Sequence, residues 1–477
     1  MRKSLVAACA LLLAGCTVGP DYRKPAAPPA AAFKELAGWK PSTPHDEIDR
    51  GAWWSVFHDR DLDALEQQVA VSNQNVRAFA AAFRQAQALV WEARSAQLPL
   101  IGLTANGQRG VGGTGGFGGG SPTSTTGAVE ASASWDLDVW GRIRRQVESQ
   151  TAAAQVSAAD LANATLSAQV ALATDYFDLR AQDSLADLLT RTVAEYQHSL
   201  QITQNQYDAG TASRADVVTA QAQLQSTQAL LVAVGVLRAQ YEHAIAVLSG
   251  HAPSELTVAP ALLTREVPVV PAGVPSALLE RRPDIAAAER AMAQQNALIG
   301  VAVAAFYPDI TLSGLFGYAG NPLSNLFNVA NRVWSLGGAA SETLFDAGQR
   351  TAAVEAARAG YDQSVATYRQ TVLSAFQQIE DQLSTLHVLQ DQAAAEAAAI
   401  DSARHAVDVT LNEYRAGTVA YTAVITEQTL LLADEQTALS IAQNRLAASV
   451  ALIGALGGGW DASSDLPGNI PAGPLFP

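Results

Sequence analysis

Tyr207-Asp208-Ala209-Gly210-Thr211 recurs 207 residues later as Tyr414-Arg415-Ala416-Gly417-Thr418. The repeated pentapeptide decides the architecture, because each copy closes a very long helix with a tight turn. From about Arg142 to Tyr207 no proline or glycine interrupts the chain. One helix is expected there, roughly 100 Å long at ~1.5 Å per residue. Within it Leu189, Val193, Tyr196, Leu200, Thr203 and Tyr207 are spaced 4-3-4-3-4, the seam of a coiled coil. The second copy repeats the seam at Tyr361, Val365, Tyr368, Val372, Ala375 and Ile379. Both stretches are rich in alanine, which raises helix propensity and lets neighbouring helices approach closely.

Outward from the pentapeptides the offset persists at Thr219/Thr426, Gln221/Gln428, Leu224/Leu431 and Gly250/Gly457. Gln85, Ala88, Leu89 and Pro99 match Gln294, Ala297, Leu298 and Pro308 at an offset of 209. A period this long is no solenoid repeat but the duplication of a whole subdomain. Each copy reads helix, strand, loop, strand, long helix, turn, helix. The opening helix of the first copy is expected from about Leu62 to Ala96, ended by Pro99. Ile101, Leu103 and Ala105 then alternate with Thr104, Asn106 and Gln108, and Val129, Ala131, Ala133, Trp135 and Leu137 alternate with Glu130, Ser132, Ser134 and Asp136. These are two-faced strands, joined by a Gly/Ser/Thr-rich loop over 110–127 that reads as mobile. In the second copy Ile310, Leu312, Gly314, Phe316 and Tyr318 oppose Thr311 and Ser313, with a weaker partner strand over 334–345.

The N-terminus reads as a processing signal. Arg2 and Lys3 precede an apolar or small stretch from Ser4 to Gly15, shorter than the ~20 residues of a membrane-spanning helix. It ends in Leu13-Ala14-Gly15-Cys16, which resembles the lipobox of bacterial lipoproteins. That resemblance makes Cys16 the lipidated residue, with three acyl chains for a firm anchor where one would hold only marginally. Thr17 in place of Asp favours the outer membrane. Cys9 leaves with the signal, so no second thiol remains for a disulfide.

The full chain carries 45 acidic and 30 basic residues. Such a balance argues against nucleic acid as a partner, since nothing offsets phosphate repulsion. It fits solvated helix faces, or a weak cation preference along a water-filled path. No mature stretch reaches 18 consecutive apolar residues, so no spanning helix is expected. An outer-membrane chain must then cross as a closed barrel. Four strands are too few for one chain, because closed barrels begin at about eight, so several copies are needed. Trp135, Phe306, Tyr307 and Phe345 are candidate interface aromatics at one rim, and Phe316, Tyr318 and Trp334 at the other.

Enzyme chemistry finds no support. The seven histidines (45, 58, 198, 243, 251, 387, 405) show no metal-ligand spacing, and no GxSxG elbow occurs. Gly110 to Gly115 satisfies GxGxxG, but a Ser/Pro/Thr stretch and a strand follow where a dinucleotide fold needs a helix. No cofactor and no metal are expected. Arg282-Pro283-Asp284 reads as a helix start, Trp53 and Trp54 as packing anchors, and Pro467 to Pro477 as a loose tail.

Four blocks carry a specific resemblance. Cys16-Thr17-Val18-Gly19-Pro20-Asp21-Tyr22 through Pro25 is one. Trp53-Trp54-x-x-Phe57 with Asp61, Leu62 and Leu65 is another. Glu280-Arg281-Arg282-Pro283-Asp284-Ile285 with Glu289 is the third, and the doubled Tyr-x-x-Gly-Thr is the fourth. Together they resemble the TolC-like outer-membrane efflux family, in its lipoprotein (OprM/NodT-type) branch, over nearly the whole chain. The resemblance implies an α+β membrane protein, a homotrimeric β-barrel with four strands per protomer. A long α-helical coiled-coil tunnel would continue it into the periplasm. It implies a periplasmic adaptor and an inner-membrane pump of the RND type, with drugs and similar small molecules as cargo. Metal efflux, type I protein secretion and a structural coiled-coil lipoprotein are the alternatives, though a mere tether leaves four amphipathic strands unexplained.

The expected organisation is a signal peptide (1–15), a lipidated segment (16–60), a first repeat (61–250), a linker (251–275), a second repeat (276–457) and a tail (458–477). The resemblance assigns adaptor contact to Tyr207, Asp208, Gly210, Thr211, Ser213, Tyr414, Gly417, Thr418 and Ala420. In TolC itself an Arg soon after the second Tyr-x-x-Gly-Thr helps hold the tip shut, and acidic residues further on form rings. Here the corresponding places hold Val419, Ala423 and Thr426, while Asp216 keeps the acid of the first copy. The expected gate is therefore a hybrid. Val419 and Tyr414 would form an apolar ring, and Arg415 would contact Asp208 or Asp216 of a neighbouring hairpin.

Overall fold

The structure, a computed structural model, describes residues 17–28, 34, 52–111, 123–264, 266–268 and 281–471. After a short 3-10 turn at Trp53–Phe57 come α1 (Arg60–Ser72) and α2 (Gln74–Ser95). The expected single helix over 62–96 is thus two. Asn73 breaks it: its backbone is extended, and its side chain accepts from Asn75 N and Val76 N to start α2. An asparagine that bonds its own backbone competes with the helix it interrupts. Asp59 caps α1 in the same way.

β1 (Leu100–Val111) and β2 (Thr123–Leu137) follow, then α3 (Arg142–Asp208) and α4 (Arg214–Leu248). The second copy gives α5 (Pro283–Ala304), β3 (Asp309–Gly320), β4 (Arg332–Ser341), α6 (Gln349–Arg415) and α7 (Tyr421–Ala455), before the short α8 (Ala462–Asp465). α3 and α6 are each 67 residues long, and α4 and α7 each 35. Each pair folds into a hairpin. By length and composition α4 and α7 could also cross a membrane, which consecutive apolar runs do not reveal. Each instead packs along the long helix before it.

The strands form one antiparallel sheet in the order β1-β2-β3-β4. Directly opposed residues share a face. One face carries the rows Ile101-Ala133-Gly314-Leu336 and Leu103-Ala131-Phe316-Trp334. The other carries Gly102-Ser132-Leu315-Ser335 and Leu100-Ser134-Ser313-Gly337, with Glu130 and Asp136 on the same side. The apolar face is open in the single chain, with Ile101 75% and Leu336 80% exposed. β1 and β4 are free edges.

Two boundaries differ from expectation. Gly110 and Val111 belong to β1 and Thr123 to Gly127 to β2, because their mutual pairing continues the ladder; 112–122 lie outside the described residues. β4 ends at Ser341, so Phe345, 86% exposed, stands beyond the strand.

The main core sits where the helices pass α1. Trp53 and Trp54 are buried there with Phe57, Leu172, Tyr176 and Phe177, and Trp53 Nε1 donates to Gln169 Oε1 at 3.3 Å. Burial of each large side chain is worth about 1.5–3 kcal/mol. The coiled-coil seams are buried at Leu189, Tyr196, Thr203, Tyr368, Val372, Ala375 and Ile379, but Tyr207 emerges at the end of its helix. The start of the tail is also firmer than its composition suggests, while 472–477 lie outside the described residues. Ile470 is buried against Val90 and Ala154, and Gln155, Arg94 and Trp91 donate to the carbonyls of Pro467, Ile470 and Pro471. Arg282 serves as the N-cap residue of α5, with Pro283 in its first turn, and its guanidinium donates to Ala455 O.

Candidate functional site

Two regions organise the molecule's ends: the turns that close the hairpins, and the segment that follows Cys16.

Both turns are built identically. Gly210 and Gly417 each adopt φ +77°, the left-handed region that favours glycine. A Cβ at either would meet no atom, so conformation rather than space demands the glycine. Thr211 N and Oγ1 both donate back to Gln206 O, and Thr418 N and Oγ1 to Glu413 O. With Gly210 N donating to Tyr207 O, and Gly417 N to Tyr414 O, each turn is a Schellman motif. That is the physical content of Tyr-x-x-Gly-Thr.

The helix starts beyond the turns differ. Ser213 Oγ accepts from Asp216 N at 3.2 Å and Asp216 Oδ2 accepts from Ser213 N at 3.0 Å, a capping box on α4. Ala420 and Ala423 hold the equivalent places on α7 and cannot form one. Tyr414 and Tyr421 support that turn instead. Their rings lie 5.2 Å apart and are buried with Ala220 and Val424, with Leu200, Leu411 and Val419 against them. Burial pushes the Tyr421 hydroxyl up to about 12.

The expected gate residues therefore separate. Tyr414, 5% exposed, packs between the two hairpins of its own chain. Asp216 is committed to its own cap. Val419 is half-buried beside Tyr414. Asp208 accepts from Gln204 Nε2 at 3.0 Å, and Arg415 reaches Asn412 Oδ1 at 3.4 Å, both on the exposed surface. Within one chain Arg415 forms no ion pair with Asp208 or Asp216 among the described residues. Tyr207, Gly210, Thr211, Ser213, Gly417, Thr418 and Ala420 are all exposed at the tip.

The segment after Cys16 is docked by a charge cluster that its sequence does not advertise. Arg145, near the start of α3, keeps 4% of its side chain exposed. Its guanidinium donates to Val18 O, Gly19 O, Asp21 Oδ1 at 2.7 Å and Glu148 Oε2 at 2.8 Å. Asn296 holds Pro20 O, and Tyr22 donates to Glu289 Oε1 at 2.6 Å. Burial, reinforced by Glu289, pushes the Tyr22 hydroxyl well above its usual range. A Cβ at Gly19 would lie 2.5 Å from Gly300 Cα, so only glycine fits that crossing. Val18 N donates to Trp140 O, and the Trp140 ring stacks on Tyr307 at 4.9 Å. Thr17 thus lies against Gly141, the residue after Trp140 and four beyond the end of β2. Cys16 itself lies outside the described residues.

A family model described as outer membrane efflux protein matches residues 65–251 and again 274–458. The chain belongs to the outer membrane efflux protein family. The antibiotic efflux pump outer membrane protein ArpC of Pseudomonas putida is 30% identical over 468 residues, 96% of each chain. The cation efflux system protein CusC of Escherichia coli O6:H1 is 29% identical over 457 residues, 94% of this chain and 97% of its own. The solved structure of the outer-membrane channel OprN matches with a TM-score of 0.87 at 31% identity, covering 93% of this chain and 100% of its own. As an outer membrane efflux protein the chain is an exit duct: its sheet is the membrane-crossing part and its helical hairpins are the tunnel.

Proposed function

We propose that three copies of this chain close one twelve-stranded barrel, each giving four strands, and carry drugs and similar small organic molecules out of the periplasm. The carrying observation is the sheet itself. It has two free edges, an apolar face and a polar face, and open edges cannot stand in lipid. β1 of one copy pairs β4 of the next, so the apolar rows face lipid and the Glu130 and Asp136 side faces water. Cys16 carries the lipid anchor. The Arg145 cluster supports this, because it fixes Val18 to Asp21 beside the start of α3, close to the end of β2, where acyl chains on Cys16 would reach the inner leaflet. The tips meet a periplasmic adaptor, which couples the duct to an inner-membrane pump of the RND type. Relatives named for antibiotics and toluene support the organic cargo.

The test is complementation in a host lacking its own ducts, with the cognate pump and adaptor supplied. Restored tolerance to lipophilic antibiotics is expected. Restored tolerance to copper or silver salts alone would refute the cargo assignment. Palmitate labelling that persists in Cys16→Ser would refute the anchor.

A further inference from the structure

Away from both ends, a cavity of about 440 Å³ opens between α3, α6 and α7, covered by the segment that carries Leu262 and Leu263. Its walls are apolar at Leu188, Leu263, Ile400 and Leu439. Leu263 is fixed over it, buried, with its N–H donating to Ser184 Oγ at 2.8 Å.

Three arginines and three acids line the cavity, and two of the arginines are paired. Arg191 is paired with Asp187 at 3.2 Å and Arg404 with Glu435 at 2.6 Å. Arg445 lines the same space, and its Nε is sealed from solvent with no hydrogen-bond partner. Asp401, the remaining acid of the lining, is exposed. A guanidinium never gives up its proton, so a buried Nε–H without an acceptor stays unsatisfied until one arrives. The cavity is within the size range of small-molecule sites, and it sets an apolar patch beside one guanidinium whose Nε–H has no acceptor.

We infer that this cavity binds an amphipathic organic anion, whose carboxylate or sulfonate accepts from Arg445 while its apolar body lies among Leu188, Leu263, Ile400 and Leu439. The occupant bridges the first hairpin, through α3, to the second, through α6 and α7. It is thus a ligand of the tunnel wall, distinct from cargo passing along the axis.

The experiment is calorimetric titration of the full-length protein in lipid nanodiscs with 2-naphthoate, with heats from empty nanodiscs subtracted. The neutral comparison is 2-naphthalenemethanol. Saturable binding at one site per chain is expected, weakened about tenfold or more for the alcohol and in Arg445→Met, as loss of a charge-assisted hydrogen bond requires. Ala397→Phe, which fills the cavity and leaves Arg445 in place, should abolish the heat. Each variant is first checked for oligomer size and melting temperature. If Arg445→Met does not assemble, the acid–alcohol comparison on the native chain decides. Absence of saturable binding overturns the inference, as does equal affinity for acid and alcohol, or unchanged affinity in a correctly assembled Arg445→Met. The last two results would mean an apolar hollow without a role for the cation.

Discussion

Glu66 lies on the face of α1 that also buries Leu62, Leu65 and Val69. It is 0% exposed, and neither carboxyl oxygen has a hydrogen-bond partner. Burial alone raises its pKa from 4.5 to about 9. The folded chain therefore holds the proton more tightly than the unfolded chain does. Below about pH 4.5 both states are protonated and stability is full. As pH rises, the unfolded state ionises first and stability falls, until the folded carboxyl also ionises near pH 9. At pH 7 the unfolded chain has gained roughly 2.5 pH units at ~1.36 kcal/mol each, a loss of about 3 kcal/mol. Glu66→Gln keeps the shape of the protonated acid and cannot ionise. Its expected phenotype is a melting temperature equal to that of the native chain near pH 5 and several degrees higher at pH 8. Melting can be followed in detergent by loss of the heat-resistant oligomer on gels. Parallel pH profiles for the two proteins would refute the reasoning, since they would mean that Glu66 finds water or a partner and ionises normally.

Arg145→Met removes the donor to Val18 O, Gly19 O and Asp21, and should expose the segment after Cys16 to protease while leaving palmitate labelling intact. Hydrogen bonds to a charged group are worth about 1.5–3 kcal/mol, and the carboxylates left behind are exposed, so a modestly lower melting temperature should accompany it. Single cysteines at Asp208 and Ala420 should cross-link to the adaptor, whereas cysteines at Thr104 or Ser335 in the sheet should not. Arg415→Ala should raise resting conductance in planar bilayers only if exposed charge pairs close the tip, an effect of about 0–1 kcal/mol per contact that high salt would mimic. Val419→Ser opening the pore while Arg415→Ala leaves it unchanged would assign the seal to apolar contacts. Ala420→Ser with Ala423→Asp should install on α7 the capping box that α4 has. It should stabilise that turn by about 1 kcal/mol and, because the turn then survives loss of the Tyr414 packing, raise the frequency of openings.

What was legible in the sequence was whatever left a periodic trace. The 67-residue helices announced themselves by unbroken length and seam spacing, and the strands by alternation that the register then matched row for row. What was hidden depended on partners distant in sequence or on a single side chain's choice. Asn73 breaks a helix without proline or glycine because it caps the next one. Arg145 reads as a solvated charge at a helix start, yet Asp21, 124 residues away, buries it. The start of the tail is rich in proline and glycine, and residues 467–471 are held by carbonyls that accept from Gln155, Arg94 and Trp91. Tyr414 at a tip reads as a ring residue, and its burial against Ala220 depends on a residue far away in sequence.

The duplication is thus close to exact in length and unequal in support. The first turn is held by its own residues: Ser213 and Asp216 satisfy the start of α4 with no help from elsewhere. The second has no cap, and its stability comes from burying Tyr414 and Tyr421 against Ala220 of the first hairpin, with Gln206 Nε2 donating to Tyr414 O. Further up, Tyr196 donates to Gln428 O, and Gln428 Nε2 to Ser199 Oγ at 3.0 Å. Separating the hairpins would leave the first turn intact and strip the second of its packing. Parting the hairpins would therefore loosen the second turn, while the first would move as a rigid piece. Capping α7 with Ser and Asp breaks that dependence, because the turn then keeps its shape whether or not Tyr414 is buried.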